Sequence, residues 1–462
     1  MTLLTVKLAA ARAVGGLARR AGRGGGTSLP GKVLMRLEPQ AISELGARLP
    51  RGSIVISATN GKTTTAALIA SVLENAGISL VHNRAGANMA GGVASALLSA
   101  ARGNGTINGE MGLFEVDEFW LDRITPELKP SAILLSNLFR DQLDRYGELD
   151  AVADRWAGVV STLPSATRLV LNADDPLVAD LGRNAANVTY FGVEDPSVAM
   201  PEMQHAADSK HCRTCGAAYV YDAVYLGHLG RYHCPSCGSE RPQPSVAAER
   251  IELDGTRRAA FRLRAPGGSA DIELPLPGLY NVYNALGAAA LCLGLGISLD
   301  TVAAGLRHVT AAFGRAETVT IGGIELSILL VKNPAGANEI LRTLALERAP
   351  ELDLLAILND RTADGKDVSW IWDADFELLA SRVRRVTCAG TRPAEMALRL
   401  KYAGVPVDRL HVVSNLAAAL DDARAATLSG RLFVLPTYTA LLALREELSK
   451  RGYVSNFWEP RR

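Results

Sequence analysis

The chain has 462 residues, 48% hydrophobic and 5% aromatic, which is enough for two or three globular units, each with its own core. Its 49 Lys and Arg stand against 48 Asp and Glu, so a net charge of +1 provides no global field for capturing nucleic acid and argues against DNA or RNA as a partner. No run approaches the roughly 18 apolar residues that a bilayer-crossing helix needs, and basic residues after Leu8 spoil a secretory leader, so a cytoplasmic protein is expected.

Residues 1–37 hold seven basic residues (Lys7, Arg12, Arg19, Arg20, Arg23, Lys32 and Arg36) and no acid. Leu3, Leu4, Leu8 and Val14 make an apolar face opposite Lys7 and Arg12. That pattern suits a peripheral contact with the anionic inner face of the plasma membrane, or a helix packed on the body with its basic side solvated. The stretch 21–31, AGRGGGTSLPG, has the composition of a linker or surface loop. Residues 1–46 are therefore expected to form a basic segment and linker.

From Ser53 onward, short apolar runs (Ile54 to Ile56, Ala132 to Leu135, Leu169 to Leu171) alternate with helical periodicity, as in Thr64 to Asn75, where Leu68, Ile69, Val72 and Leu73 share a face. This is the βαβ pattern of a mostly parallel sheet in an α/β fold. Thr59, Asn60, Gly61, Lys62, Thr63 and Thr64 lie between the first strand and its helix, where backbone N–H groups and the positive helix end cradle phosphate. Lys62 would reach the β- and γ-phosphates, and the Thr63 hydroxyl would serve Mg²⁺. The full phosphate-loop spacing is not met, because Ile56 stands where its first Gly belongs.

Between about residues 201 and 244 the alternation breaks into a stretch rich in Cys, His and Gly. Cys212, Cys215, Cys234 and Cys237 form two CxxC pairs eighteen residues apart, the spacing of a four-thiolate ribbon holding structural Zn²⁺. Gly216 and Gly238 follow the second cysteine of each pair and allow the backbone to turn toward sulfur. Four thiolates leave no open position for catalysis by the metal.

A helix from Val282 to Leu293 follows, and the segment Thr310 to Arg315 reads as a boundary, which divides the chain into units 47–312 and 313–462. In the second unit, strands are expected at Leu352 to Leu358, Val383 to Thr387, His411 to Val413 and Leu432 to Leu435. Helices are expected near 337–347, 393–402, 415–426 and 438–450, a second, Rossmann-like α/β arrangement. The run from Asn359 to Glu377 follows an apolar strand and is rich in Asp, so it is a site candidate at a strand's carboxyl end, although capping of turns and helices accounts for any single Asp equally well.

The segment from Ala58 to Thr64 resembles the phosphate loop of the Mur ligases and folylpolyglutamate synthases, whose usual Gly is Ala58 here. Glu115 in Phe114-Glu115-Val116-Asp117-Glu118 resembles the family's magnesium carboxylate. Asn172-Ala173-Asp174-Asp175-Pro176, the segment Gly278 to Ala285 with Asn281 near the adenine, and Phe313-Gly314-Arg315 also match in order. The resemblance implies a central ATPase unit with the cysteine ribbon inserted, ATP and Mg²⁺ as cofactors, and catalytic roles for Lys62 and Glu115, with Arg315 helping Lys62 to stabilise the transferred phosphoryl group. The departures are Gln142 in place of a metal-binding His, the absence of Lys between Leu143 and Ala166, and Lys332-Asn333-Pro334 in place of a motif whose Asp touches ribose.

The segments Arg140 to Arg145, Lys332 to Gly336 and Asn359 to Glu377, with the cysteine insertion, are similar to the MurT branch of that family, the Mur-ligase-like subunits of the enzyme that amidates lipid II. That similarity implies activation of the D-glutamate α-carboxylate of the lipid II stem by ATP and attack by ammonia. Outside the CxxC pairs only Cys292 and Cys388 remain, and neither stands in a nucleophile elbow, so the glutaminase would be another chain. In the family this partner is a class I glutamine amidotransferase of the GatD type, whose Cys and His would be completed by Asp367 as the third catalytic member. Two other readings stay open: a ligase that adds an amino acid without a partner, and a nucleotide-sensing scaffold without transfer activity.

Overall fold

The structure is a computed structural model and describes residues 3–20, 28–83, 87–103, 105–141, 149–204, 207–309 and 315–454. Among these, seventeen strands form two large sheets and one hairpin. The first sheet contains β1 (Ser53–Ser57), β2 (Leu80–His82), β3 (Met111–Glu115), β4 (Ala132–Leu135), β5 (Arg168–Asn172) and β6 (Val188–Val193), all joined in parallel. β1 is buried at all five positions, as expected of a strand covered on both faces by helices.

The chain then makes the hairpin β7 (Val220–Leu226) and β8 (Leu229–His233) and returns to the sheet with β9 (Val246–Asp254), β10 (Arg258–Ala265) and β11 (Gly268–Leu274). β9 pairs β6 in parallel, while β9, β10 and β11 form an antiparallel meander. In β10, Ala259, Phe261, Leu263 and Ala265 are buried in strict alternation, the period expected where one sheet face meets the core. The sheet order is β11-β10-β9-β6-β5-β4-β1-β3-β2. β1 therefore lies between β3 and β4, with later strands laid down on both sides. The crevice at its carboxyl end is the switch point at which open α/β sheets bind ligands.

The second sheet contains β12 (Arg315–Ile321), β13 (Ile324–Leu329), β14 (Leu352–Leu358), β15 (Val383–Gly390), β16 (Leu410–Val412) and β17 (Arg431–Pro436), in the order β12-β13-β17-β14-β15-β16. Helices Pro334–Ala345 and Pro393–Tyr402 cover one face, and Leu416–Ala426 and Tyr438–Lys450 cover the other, each face with its own apolar cluster. The helix expected near 337 begins three residues earlier. Asn333 caps it by accepting from Gly336 N at 2.9 Å, and Pro334 occupies the first turn, where a missing N–H costs nothing.

Of the basic segment and linker expected over residues 1–46, residues 21–27 lie outside the described residues, and the described remainder is largely helical. Helix Leu3–Arg20 packs on the body, with Leu8 and Ala11 at 0% exposure in the same cluster as the central sheet. Lys7 pairs with Glu38 at 2.8 Å, and Arg12 donates to the carbonyl of Leu98 at 2.8 Å. Val14, assigned to the apolar face, is exposed, because the inward stripe runs through Leu4, Leu8, Ala11 and Gly15. The end of the Gly-rich stretch is helical rather than loop. Pro30 lies in the first turn of helix Leu29–Leu37, and Gly31 meets helix Ala90–Ala100 so closely that a Cβ there would lie 2.0 Å from the Gly91 carbonyl oxygen. Among the described residues no helix is long and apolar enough to cross a membrane.

Candidate active site and cysteine module

The chain leaves β1 at Ser57, turns through Ala58 to Gly61 and enters helix Lys62–Asn75. Gly61 is demanded twice at this turn: its φ is +86°, and a Cβ would stand 2.1 Å from Asn284 Oδ1. The segment after β4 braces the loop from the side. Asn60 N donates to Asn137 Oδ1 at 2.9 Å, Asn137 Nδ2 returns a bond to Asn60 O at 3.0 Å, and Phe139 N donates to Thr59 Oγ1 at 3.0 Å. The loop is thus held rigid, as a site that must present N–H groups to a ligand requires.

Thr59, Asn60, Gly61, Lys62, Thr63 and Thr64 line a cavity of about 410 Å³, together with Glu115, Asn281 and Asn284. Lys62 is buried and donates to Glu118 Oε2 at 2.8 Å and to the Ala58 carbonyl. Burial opposes its charge, but Glu118, Asp117 and Glu115 together outweigh burial and hold its pKa above the ordinary lysine value. Burial, reinforced by Glu118, pushes the Asp117 carboxyl upward despite Lys62. Glu115 ends β3 and is fixed by its backbone, donating to Asn83 Oδ1 at 2.9 Å and accepting from Asn83 Nδ2 at 2.8 Å. Glu115 and Thr63 line the same cavity, and hard oxygen donors of this kind suit Mg²⁺.

Asn281 and Asn284, on successive turns of helix Leu279–Gly294, are bonded to each other at 3.0 Å, and Asn281 also donates to the Pro277 carbonyl at 2.7 Å. The structure separates the neighbouring Asp174 and Asp175 from the cavity. Asp174 accepts from Arg241 at 2.6 Å and from the Tyr283 hydroxyl at 2.6 Å, while Asp175 caps helix Pro176–Asp180. Arg315 begins β12, and its side chain lies outside the described residues, as do Gln142 and the boundary residues 310–314.

The second sheet closes the cavity. Lys332 Nζ pairs with Asp141 at 2.9 Å and donates to the Thr59 carbonyl at 3.3 Å, and Asn333 Nδ2 donates to Asn60 Oδ1 at 3.1 Å and to Asp141 Oδ1 at 3.2 Å. Burial would raise the Asp141 carboxyl, but Lys332 and Lys62 lower it below the ordinary value of 3.8. Sequence reasoning noticed both stretches separately and missed that they meet. It also missed Glu118 as the partner of Lys62, although the acids at 115, 117 and 118 were the available signal.

The four cysteines converge, with all their sulfur atoms within 4.8 Å of one another. Cys212 and Cys237 Sγ are 3.6 Å apart, and Cys215 and Cys234 Sγ are 3.4 Å apart. Tetrahedral thiolates about 2.3 Å from a zinc ion would stand about 3.8 Å apart, so the residues fit the ion. Gly216 (φ +77°) and Gly238 (φ +73°) make the tight turns. At Cys212, burial is outweighed by backbone N–H groups of Cys215 and Thr214, and the thiol is lowered to about 6. N–H groups of Cys237 and Ser236 lower Cys234 similarly.

The Asp-rich loop leaves the carboxyl end of β14. Asp364 is buried and accepts from Thr439 N at 2.7 Å, which pins the loop to helix Tyr438–Lys450, and Ala363 beside it lines the cavity. Asp367 is exposed. Its carboxylate accepts from Ser369 N at 2.8 Å, and this bond, with the Ser369 hydroxyl, lowers its pKa. The structure does not bring Asp367 to Lys62 or Glu115.

Two family models match the chain: Mur ligase middle domain over residues 56–234 and MurT ligase C-terminal over residues 330–441. A Staphylococcus aureus (strain N315) protein named lipid II isoglutaminyl synthase (glutamine-hydrolyzing) subunit MurT is 33% identical over 94% of this chain and 96% of its own length. A Streptococcus pneumoniae protein of the same name is 32% identical over 97% and 98%. Among solved structures, a pseudomurein peptide ligase type C from Methanothermus fervidus aligns at TM-score 0.66 and 23% identity, covering 87% of this chain and 79% of that one. Folylpolyglutamate synthase of Mycobacterium tuberculosis, complexed with ADP and AMPPCP, aligns at 0.60 and 18%, covering 90% and 95%. These two share the fold.

Proposed function

Because the chain belongs to the MurT family of Mur ligases, we propose that it is the synthase subunit of a lipid II isoglutaminyl synthase, a carbon-nitrogen ligase of peptidoglycan synthesis that uses ATP and glutamine. The α-carboxylate oxygen of the stem D-glutamate attacks the γ-phosphorus of ATP, and ADP leaves. Ammonia then attacks the acyl carbon of the resulting acyl phosphate, inorganic phosphate leaves with the carboxylate oxygen, and D-isoglutamine remains.

The supporting observation is a single cavity that holds the phosphate loop and acids of one sheet and is closed by Lys332 and Asn333 of the other. Lys62 neutralises charge on the transferred group, the electrostatic task that dominates phosphoryl transfer. Thr63 and Glu115 would hold Mg²⁺, which would supply further charge neutralisation, Asn281 would face the adenine end, and Arg315 would assist Lys62. The four cysteines would hold structural Zn²⁺.

The nitrogen source would be a GatD-like glutaminase subunit. Cys292 and Cys388 are both at 0% exposure, and burial raises both thiols, Cys388 to about 12, the reverse of what a nucleophile needs. Asp367 is exposed on a loop that reaches the cavity at Ala363, four residues earlier, so it could orient a partner's His while ammonia is delivered nearby. The test is incubation of the full chain with lipid II and ATP and either ammonium or a set of amino acids. Amidated lipid II from ammonium alone is the expected product. Incorporation of an amino acid would establish the partner-free ligase instead.

A further inference from the structure

The cysteine module is more than an appendage to the cavity. Hairpin β7–β8 carries Leu226 and Leu229, 5% and 1% exposed, and both side chains line the cavity beside Tyr283. β8 runs from Leu229 to His233, and Cys234 follows, so one strand of roughly 16 Å joins the cavity wall to a sulfur of the cluster. The hairpin tip is locked against the segment that braces the phosphate loop. His228 packs on Phe139 with ring centroids 4.6 Å apart, and a Cβ at Gly227 would lie 2.8 Å from the Phe139 ring.

A second, polar route leaves the other side of the cluster. Arg241, four residues beyond Cys237, bonds Asp174, and Asp174 accepts from the hydroxyl of Tyr283. The hairpin also holds the second sheet's helix, because Arg342 donates to the Tyr225 carbonyl at 2.6 Å. Burial alone gives no reason for a metal module to contact both sheets and the cavity lining at once.

We infer that the hairpin of the cysteine module is a working wall of the nucleotide cavity, so that metal at the four thiolates and nucleotide in the cavity stabilise each other. This rests on the nucleotide and metal assignments proposed above. Coupling of two sites through one rigid element must be reciprocal, and typical values run from about 5-fold to 150-fold.

The test uses the full chain loaded with zinc and the same protein after mild chelation, each titrated calorimetrically with AMPPCP. Metal removal should weaken the analogue's binding on the order of tenfold, and returning zinc should restore it. In the loaded protein, saturating analogue should lower the share of zinc transferred at equilibrium to a competing colorimetric chelator, a rise in zinc affinity by the same factor that a purely local structural zinc would not give. Leu226→Ala and Leu229→Ala should each reduce that protection while the metal remains bound. Analogue affinity equal with and without zinc, or zinc transfer indifferent to analogue, would overturn the inference while leaving the nucleotide reading intact. Failure of the loaded protein to bind the analogue at all would instead refute the nucleotide reading, and this inference with it.

Discussion

Lys62 and Asp367 lie in two different sheets, each in the segment that follows the carboxyl end of a buried strand, β1 or β14. Their surroundings are opposite. Lys62 is buried among three carboxylates and bonded to its own loop, whereas Asp367 is exposed and accepts from the backbone N–H of Ser369, two residues away. The contrast separates two kinds of site residue. On the roles proposed above, a group that meets a small ligand inside its own chain is desolvated and balanced by neighbours, while a group that serves another chain keeps its carboxylate in water with only a local turn to orient it.

The largest effect expected from breaking this contrast is at Asp367. Asp367→Asn preserves shape but removes the charge that orients a partner's His, and in a triad such a change lowers turnover on the order of 10⁴-fold. Glutamine hydrolysis by the complex with its glutaminase should fall steeply, measured as glutamate release, while ammonium-dependent amidation stays near wild type. Undiminished glutaminase activity would reduce Asp367 to a turn cap. Lys62→Met should do the reverse, lowering amidation from either nitrogen source by about 10²–10³-fold without unfolding the chain, as checked by phosphate release and circular dichroism.

A smaller effect is expected where the two regions touch. Lys332→Met removes the cationic partner of Asp141, leaving the Asn333 amide, and should cost about 1.5–3 kcal/mol, the range for hydrogen bonds to charged groups, read as a lower denaturation midpoint. The same contact has a pH signature. The Asp141 carboxyl is lowered in the folded chain, so its stabilising contribution is fully present above the ordinary value of 3.8 and is lost as pH falls through the lower folded value. The stability difference between wild type and Asp141→Asn should therefore be flat from neutral pH to about 4 and shrink below it.

Much of this was legible in the sequence because its signals are local. β14 matches the apolar run from Leu352 to Leu358 residue for residue, and the convergence of the four cysteines follows from two short spacings and their glycines. Long-range consequences were not legible. The pairing of Lys332 with Asp141 links residues 191 positions apart, and the stretches that hold them, Arg140 to Arg145 and Lys332 to Gly336, were each noticed without any signal that they meet. The N-terminal helix was misread at Val14 because a charged amphipathic helix looks the same whether its apolar stripe meets lipid or protein. Gly31 looked like a linker residue, and only its close approach to the Gly91 carbonyl reveals a packing role.

The central claim, that this cavity activates a carboxylate by phosphorylation for attack by ammonia, is tested most directly by following a heavy-oxygen label placed in the α-carboxylate of the stem D-glutamate. During ATP-dependent amidation by the full chain, label should pass into inorganic phosphate, one oxygen for each amide formed. Amide formation with no label in phosphate would contradict the acyl-phosphate route and the role given to Lys62.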